Sequence, residues 1–206
     1  MDSLDEFISS WMDYAQRTAK LLGLDVGIPI GIPKDILEIG CGMGHLSIVL
    51  KQLGHNVISC DNKNWINDFK ISNPTSMYLQ ACKKIDHNFS HFHFTVPHQK
   101  NKKVNHQMFD QLKSYHHSKY DFILWQNSCF WQKHNNIDID DTKTLIQFLQ
   151  SLLTKDGKLI FGYNQHNHLD PDPDFESSKS YQWLSPWRTK RYQDKMGYYT
   201  FIMGPA

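Results

Sequence analysis

The feature that most limits what this chain can become is a cluster of three glycines between a short apolar segment and a helix-patterned one. Asp35-Ile36-Leu37-Glu38-Ile39 reads as a strand, and Gly40-Cys41-Gly42-Met43-Gly44 follows as a turn. From His45 to Leu53, the residues Leu46, Val49, Leu50 and Leu53 fall on one helical face, and Gly54 ends that helix. Asn56-Val57-Ile58-Ser59-Cys60 is a second short strand with Asp61 at its end. Glycines reach positive φ and let a ligand approach the backbone, and the start of a helix offers N–H groups with no intrahelical partner. An acid about 20 residues further on can accept both ribose hydroxyls of a nucleotide-like ligand. Asp61 follows Gly40 by 21 positions. Both features fall at the carboxyl ends of strands, where open α/β sheets bind ligands.

The alternation continues along the chain. Ser3 or Asp5 can cap a first helix running to Leu22, with an apolar stripe of Phe7, Ile8, Trp11, Tyr14, Ala15, Thr18, Leu21 and Leu22 and a stop at Gly23. Val26 to Pro33, with Gly27, Pro29, Gly31 and Pro33, is an irregular connection. Helix is expected over Met77 to Ile85 and Gln107 to Ser114, and strands over Phe92 to Val96 and Tyr120 to Trp125. Asp141 to Leu153 is an amphipathic helix with Leu145, Ile146, Phe148, Leu149, Leu152 and Leu153 facing the core. Asp156-Gly157 then turns into a strand over Lys158 to Tyr163. Tyr198 to Met203 is a last strand, with Ser180 to Leu184 as its antiparallel partner. The expected class is α/β: a doubly wound, mainly parallel sheet with an antiparallel C-terminal strand. One domain over 1–206 is expected, with an N-terminal helix over 1–25 as a candidate lid, a core over 34–164 and a C-terminal strand region over 165–206.

Composition excludes several function classes. Lys plus Arg number 22 and Asp plus Glu 21, so a net charge of +1 argues against nucleic-acid or anionic-membrane partners. Cys41, Cys60, Cys82 and Cys129 form no CxxC pair, and the 12 histidines include no HExxH, so no metal site is expected. Cys41, Cys60 and Cys129, in or beside apolar runs, read as small buried or site-lining residues of a reducing compartment. The first residues are acidic, and no apolar run approaches the ~20 residues of a membrane helix. A cytoplasmic protein is the expectation.

Two ligand classes can use such a frame. Dinucleotides favour GxGxxG, with the pyrophosphate on the helix N-terminus. Here the spacing is GxGxG, and Glu38 stands two residues before the first glycine. A carboxylate there is awkward for a pyrophosphate and suits a cationic ligand. S-adenosylmethionine carries an ammonium, a sulfonium, a ribose and an adenine.

Leu37 to Gly44 resembles the first motif of the class I (Rossmann-like) S-adenosylmethionine-dependent methyltransferases, and Val57-Ile58-Ser59-Cys60-Asp61 resembles the second. Tyr120 to Asn127 is similar to their fourth-strand motif, and Leu152 to Ile160 to the late motif in which a helix ends at a Gly turn before the fifth strand. The resemblance covers Lys34 to Asn164. It implies the Rossmann-like methyltransferase fold and S-adenosyl-L-methionine as cofactor. It also implies that Gly40, Cys41, Gly42 and Gly44 pass under the methionine part, while Glu38 orients that loop or binds the amino group. By the same resemblance Asp61 holds the ribose hydroxyls, Asn62 lies near the adenosine, and Gln126 and Asn127 lie near the methionine moiety or the reacting methyl. There are departures: Pro97 and His98 follow the third strand, where the family often has an acidic or polar adenine contact, and no clear last helix closes the chain.

Methyl transfer from a sulfonium needs positioning above all, so no catalytic residue is assigned. His134 is an isolated loop histidine. The chain lacks the Pro-Pro-aromatic motif of base-acting DNA methyltransferases after the fourth strand, having Asn127-Ser128-Cys129-Phe130 instead. A small-molecule acceptor is the first expectation, with Phe130, Trp131, Trp183 and Trp187 as candidate pocket aromatics and a protein side chain as the alternative acceptor. Two other readings stand beside it: a methyltransferase-like domain that binds cofactor or protein without turnover, and an NAD(P)-dependent oxidoreductase. No oligomeric state follows from the sequence.

Overall fold

The computed structural model describes residues 3–41, 44–62, 80, 91–94, 119–125, 139–164, 179–189 and 198–206. The chain divides into two compact units, Met1–Phe94 and Thr95–Ala206.

The first unit begins with helix α1, Leu4–Val26. Ser3 is its N-cap and accepts a hydrogen bond from the Glu6 N–H, and Asp5 and Glu6 put negative charge against the positive end of the helix dipole. The helix runs four residues past the expected end at Leu22. Gly23 stays helical, and Gly27 takes the left-handed conformation at φ 81°, its N–H bonding back to the Gly23 carbonyl. Ala15 and Ala19 are buried, whereas Phe7, Ile8, Tyr14 and Thr18 are half-buried.

Strand β1 (Asp35–Ile39), helix α2 (His45–Gln52) and strand β2 (Asn56–Asn62) form the expected βαβ unit. β1 and β2 are parallel, with Ile36 opposite Val57 and Ile39 opposite Cys60. Strand β3, His91–Phe94, adds on the far side of β2, also parallel. Ile36, Leu37 and Ile39 are fully buried, as expected of a strand with both faces covered. Leu46 to Leu50 are buried without a break, because α2 lies between the sheet and α1. Replacing one such leucine by alanine costs about 2–5 kcal/mol.

The second unit contains strand β4 (Tyr120–Trp125), helix α3 (Ile139–Ser151) and strand β5 (Leu153–Asn164). β4 and β5 are parallel. Strand β7, Tyr198–Met203, runs antiparallel to β5. Trp125, Phe161 and Phe201 stand in one cross-strand row, with ring centroids 5.5 and 6.4 Å apart. Leu145, Ile146 and Leu149 of α3 are fully buried.

Three expectations change. β5 begins at Leu153 and not at Lys158, because the Asp156-Gly157 turn is an irregularity within the strand: Tyr120 pairs with Leu153, but Phe122 already pairs with Lys158. Ser180 to Leu184 is not a strand but part of a short helix, α4, Lys179–Leu184. Its alternation was too brief to separate the two periodicities. The antiparallel partner of β7 on the side away from β5 is instead the two-residue strand β6, Arg188–Thr189, which follows a 3-10 turn over Ser185–Trp187. The helix expected over Met77 to Ile85 is described only at Gln80, which is helical, and that over Gln107 to Ser114 lies outside the described residues. Among the described residues, no helix is long and apolar enough to cross a membrane.

Candidate functional site

β1 and β2 end side by side, and the chain leaves β1 through a turn held against β2. The Gly40 and Cys41 N–H groups both donate to the Cys60 carbonyl, at 2.9 and 3.2 Å. That carbonyl belongs to the residue just before Asp61, so the first half of the glycine turn is pinned beside the last residues of β2, Asp61 and Asn62. Gly40 adopts φ 72°, a conformation that bends the chain sharply and that residues with a Cβ resist. The Gly44 N–H then bonds back to the Cys41 carbonyl at 2.9 Å. Gly44 is the N-cap of α2, at φ 82°, and its carbonyl receives the Ile48 N–H at 3.0 Å. No side chain caps the helix there, as the sequence of the turn requires.

Glu38 lies under this turn. It is 7% exposed, and its carboxyl accepts a hydrogen bond from the Ser47 hydroxyl, which is itself fully buried in the first turns of α2. A buried carboxyl is costly unless hydrogen-bonded, so this bond ties the end of β1 to the start of the helix. Cys60 adds a weak contact, its Sγ 3.6 Å from the Glu38 carbonyl. Cys41 and Cys60 are buried free thiols, as expected.

Asp61 pairs with His93 and Asn62 with Phe94 in the β2–β3 register, which puts both at the carboxyl end of the parallel strands. Gly42, Gln126 and Asn127 lie outside the described residues, as do Pro97, His98, Phe130, Trp131 and His134. Trp183 and Trp187 pack edge to face in the second unit, ring centroids 5.4 Å apart.

Two neighbours of the turn went unrecognised in the sequence. Ser47 was readable as a lone polar residue within the apolar run Leu46 to Leu50, but nothing in the sequence names its partner. His45, the first residue of α2, meets Tyr14 of α1 with ring centroids 5.9 Å apart and ring planes tilted by 41°. Burial pushes the His45 imidazole down from 6.5 to about 4, so it is neutral at pH 7.

The glycine turn, the buried Glu38 carboxyl and the end of β2 thus lie together at the carboxyl ends of β1 and β2. The methyltransferase-domain family matches residues 11–201 of the chain. No curated protein matches the sequence. Among solved structures, a TehB-like S-adenosylmethionine-dependent methyltransferase from Corynebacterium glutamicum is 14% identical, covers 96% of this chain and 99% of its own, and superposes with a TM-score of 0.46. The glycopeptide N-methyltransferase MtfA is 13% identical over 75% of this chain and 53% of its own, with a TM-score of 0.42. The plantazolicin methyltransferase BamL, in complex with a triazolic desmethylPZN analog and SAH, is 16% identical over 78% of this chain and 49% of its own, with a TM-score of 0.45. This chain thus spans about half the length of the last two. With the family match extending over nearly the whole sequence, from the first helix to the last strand, the chain belongs to the methyltransferase-domain family and has its Rossmann-like α/β fold.

Proposed function

We propose that the protein is an S-adenosylmethionine-dependent methyltransferase acting on a small-molecule acceptor in the cytoplasm, as one domain. The observation that carries this reading is the capture of the Gly40 and Cys41 N–H groups by the Cys60 carbonyl, which brings the glycine turn alongside Asp61. The residues present fit the cofactor: a turn with two positive-φ glycines, an acid beneath it, and an acid ending the next strand.

Gly40, Cys41, Gly42 and Gly44 would line the methionine part. Glu38, fastened to Ser47, would hold the turn in place and give the ammonium a negative neighbour. Asp61 would accept the ribose hydroxyls and Asn62 would lie near the adenosine, while Gln126 and Asn127 would flank the acceptor end. S-adenosylmethionine, when bound, supplies an electrophilic methyl on a sulfonium. The protein's share is alignment and exclusion of water, and alignment alone is worth roughly 7–11 kcal/mol of a barrier. No residue here is therefore required to act as a base.

Asp61→Ala removes the acceptor for two hydroxyls. Hydrogen bonds to a charged group contribute about 1.5–3 kcal/mol, so cofactor affinity measured by calorimetry should fall at least tenfold. Unchanged affinity would remove Asp61 from the site. Formation of S-adenosylhomocysteine with a panel of acceptors separates an active enzyme from a domain that binds without turnover. The GxGxG spacing and Glu38 speak against the nicotinamide reading.

A further inference from the structure

α1 covers α2, and the point of contact nearest the glycine turn is one aromatic pair. Tyr14 is half-buried on the stripe that also carries Ala15 and Thr18, and it reaches the imidazole of His45, one residue beyond Gly44. The position is unusual for a titratable base. It opens a helix whose N-terminal end carries positive partial charge, and it adjoins a turn proposed to receive a cation.

We infer that Tyr14 is a positioning residue for the cofactor turn: seated on His45, it keeps water from the first turn of α2 and so holds the Gly44–His45 corner in a form that accepts a cationic ligand. The inference rests on the reading of the site given above. A charged imidazole at this corner would add a positive charge to the helix end beside a ligand whose sulfonium, ammonium and carboxylate sum to +1, a net repulsion. Burial lowers the His45 pKa, and the Tyr14 ring of α1 is one of the groups that cover the imidazole. The other charged groups around the corner do not substitute for it. Asp13 and Arg17 of α1 are exposed, Glu38 of β1 is bonded to Ser47, and Lys51 lies at the other end of α2.

The test is S-adenosylmethionine affinity by calorimetry between about pH 8 and pH 5.5. The variants are Tyr14→Ala, Tyr14→Phe, Tyr14→Leu and the double variant Tyr14→Ala with His45→Gln. Wild type and Tyr14→Phe should bind with affinities that vary little with pH. In Tyr14→Ala the imidazole returns toward its ordinary pKa near 6.5, so affinity should fall about tenfold by pH 5.5. The double variant should lose that pH dependence, since glutamine cannot take up the proton. Tyr14→Leu keeps an apolar cover and serves if Tyr14→Ala melts early; a partial pH dependence is expected. A flat profile in folded Tyr14→Ala and Tyr14→Leu, or a surviving slope in the double variant, would overturn the inference. If wild type binds no S-adenosylmethionine at any pH, the functional reading fails first. The His45 NMR resonance of the free protein then still decides the role of Tyr14: it should remain neutral at pH 5.5 in wild type and titrate near 6.5 in Tyr14→Ala.

Discussion

His55, just ahead of β2, is 4% exposed, and among the described residues neither ring nitrogen has a hydrogen-bond partner. Burial and, secondarily, the Lys34 ammonium lower its pKa below the ordinary 6.5. As pH falls, the unfolded chain takes up this proton before the folded one does. The stability in question is therefore complete above about pH 6.5 and is lost below it. His45 acts in the same direction, and its loss continues down to about pH 4. A displacement of that size corresponds to about 3 kcal/mol. His55→Leu removes two buried polar atoms that cost about 1–3 kcal/mol when unsatisfied. Its Tm at pH 7.5 should equal or exceed that of the native chain, and its loss of Tm between pH 7 and 5 should be smaller. A Tm several degrees lower at pH 7.5 would mean that the imidazole does have a partner. Of such single-residue features, only identity was legible in the sequence. Glu38 and Asp61 stood out because their positions relative to the glycines carry meaning, whereas Ser47, His45 and Tyr14 acquire theirs from partners that only folding supplies.

At the scale of elements, the boundaries of β4 and β7 were readable because each is a compact apolar run of six residues. β5 was harder. The Asp156-Gly157 pair has turn chemistry, and it does bend the chain, but the strand resumes on the same partner, so the bend lies inside β5. Gly157 is required there by space and not by φ. A Cβ would lie 2.8 Å from the Tyr120 carbonyl oxygen and 3.0 Å from both the Leu153 Cβ and the Thr154 nitrogen. Backbone cannot yield as a flexible side chain can, so Gly157→Ala should cost about 1–3 kcal/mol. For a chain of this size, thermal unfolding should register about 2–4 °C for each kcal/mol. An unchanged Tm would show that the irregularity relaxes freely. The C-terminal elements were misread for a different reason. Lys179 to Leu184 spans less than two helical turns, too short for its apolar spacing to distinguish helix from strand, and β6 has only two residues.

For the whole molecule, the balance of 22 basic and 21 acidic residues leaves a net charge of +1, so ligand choice is a matter of local geometry and not of the overall field. A ligand that prefers the native state raises Tm by mass action, by about 2.7 kcal/mol of stability at a hundredfold excess over its Kd. S-adenosylmethionine and S-adenosylhomocysteine should each produce that shift, and NAD should not. A shift with NAD alone would return the protein to the nicotinamide reading.

What the sequence determined by itself was the βαβ unit around the glycine turn and the α/β class. Both follow from local facts: the apolar periodicities of successive segments, glycine's access to positive φ, and the distance along the chain from Gly40 to Asp61. What only the tertiary structure decided was which groups meet. The Cys60 carbonyl taking two N–H donors, the Ser47 hydroxyl on Glu38, and the Tyr14 ring on His45 each join residues from different elements. Such contacts are set by strand register and helix packing, which depend on the whole buried core and leave no mark in the spacing of any one segment.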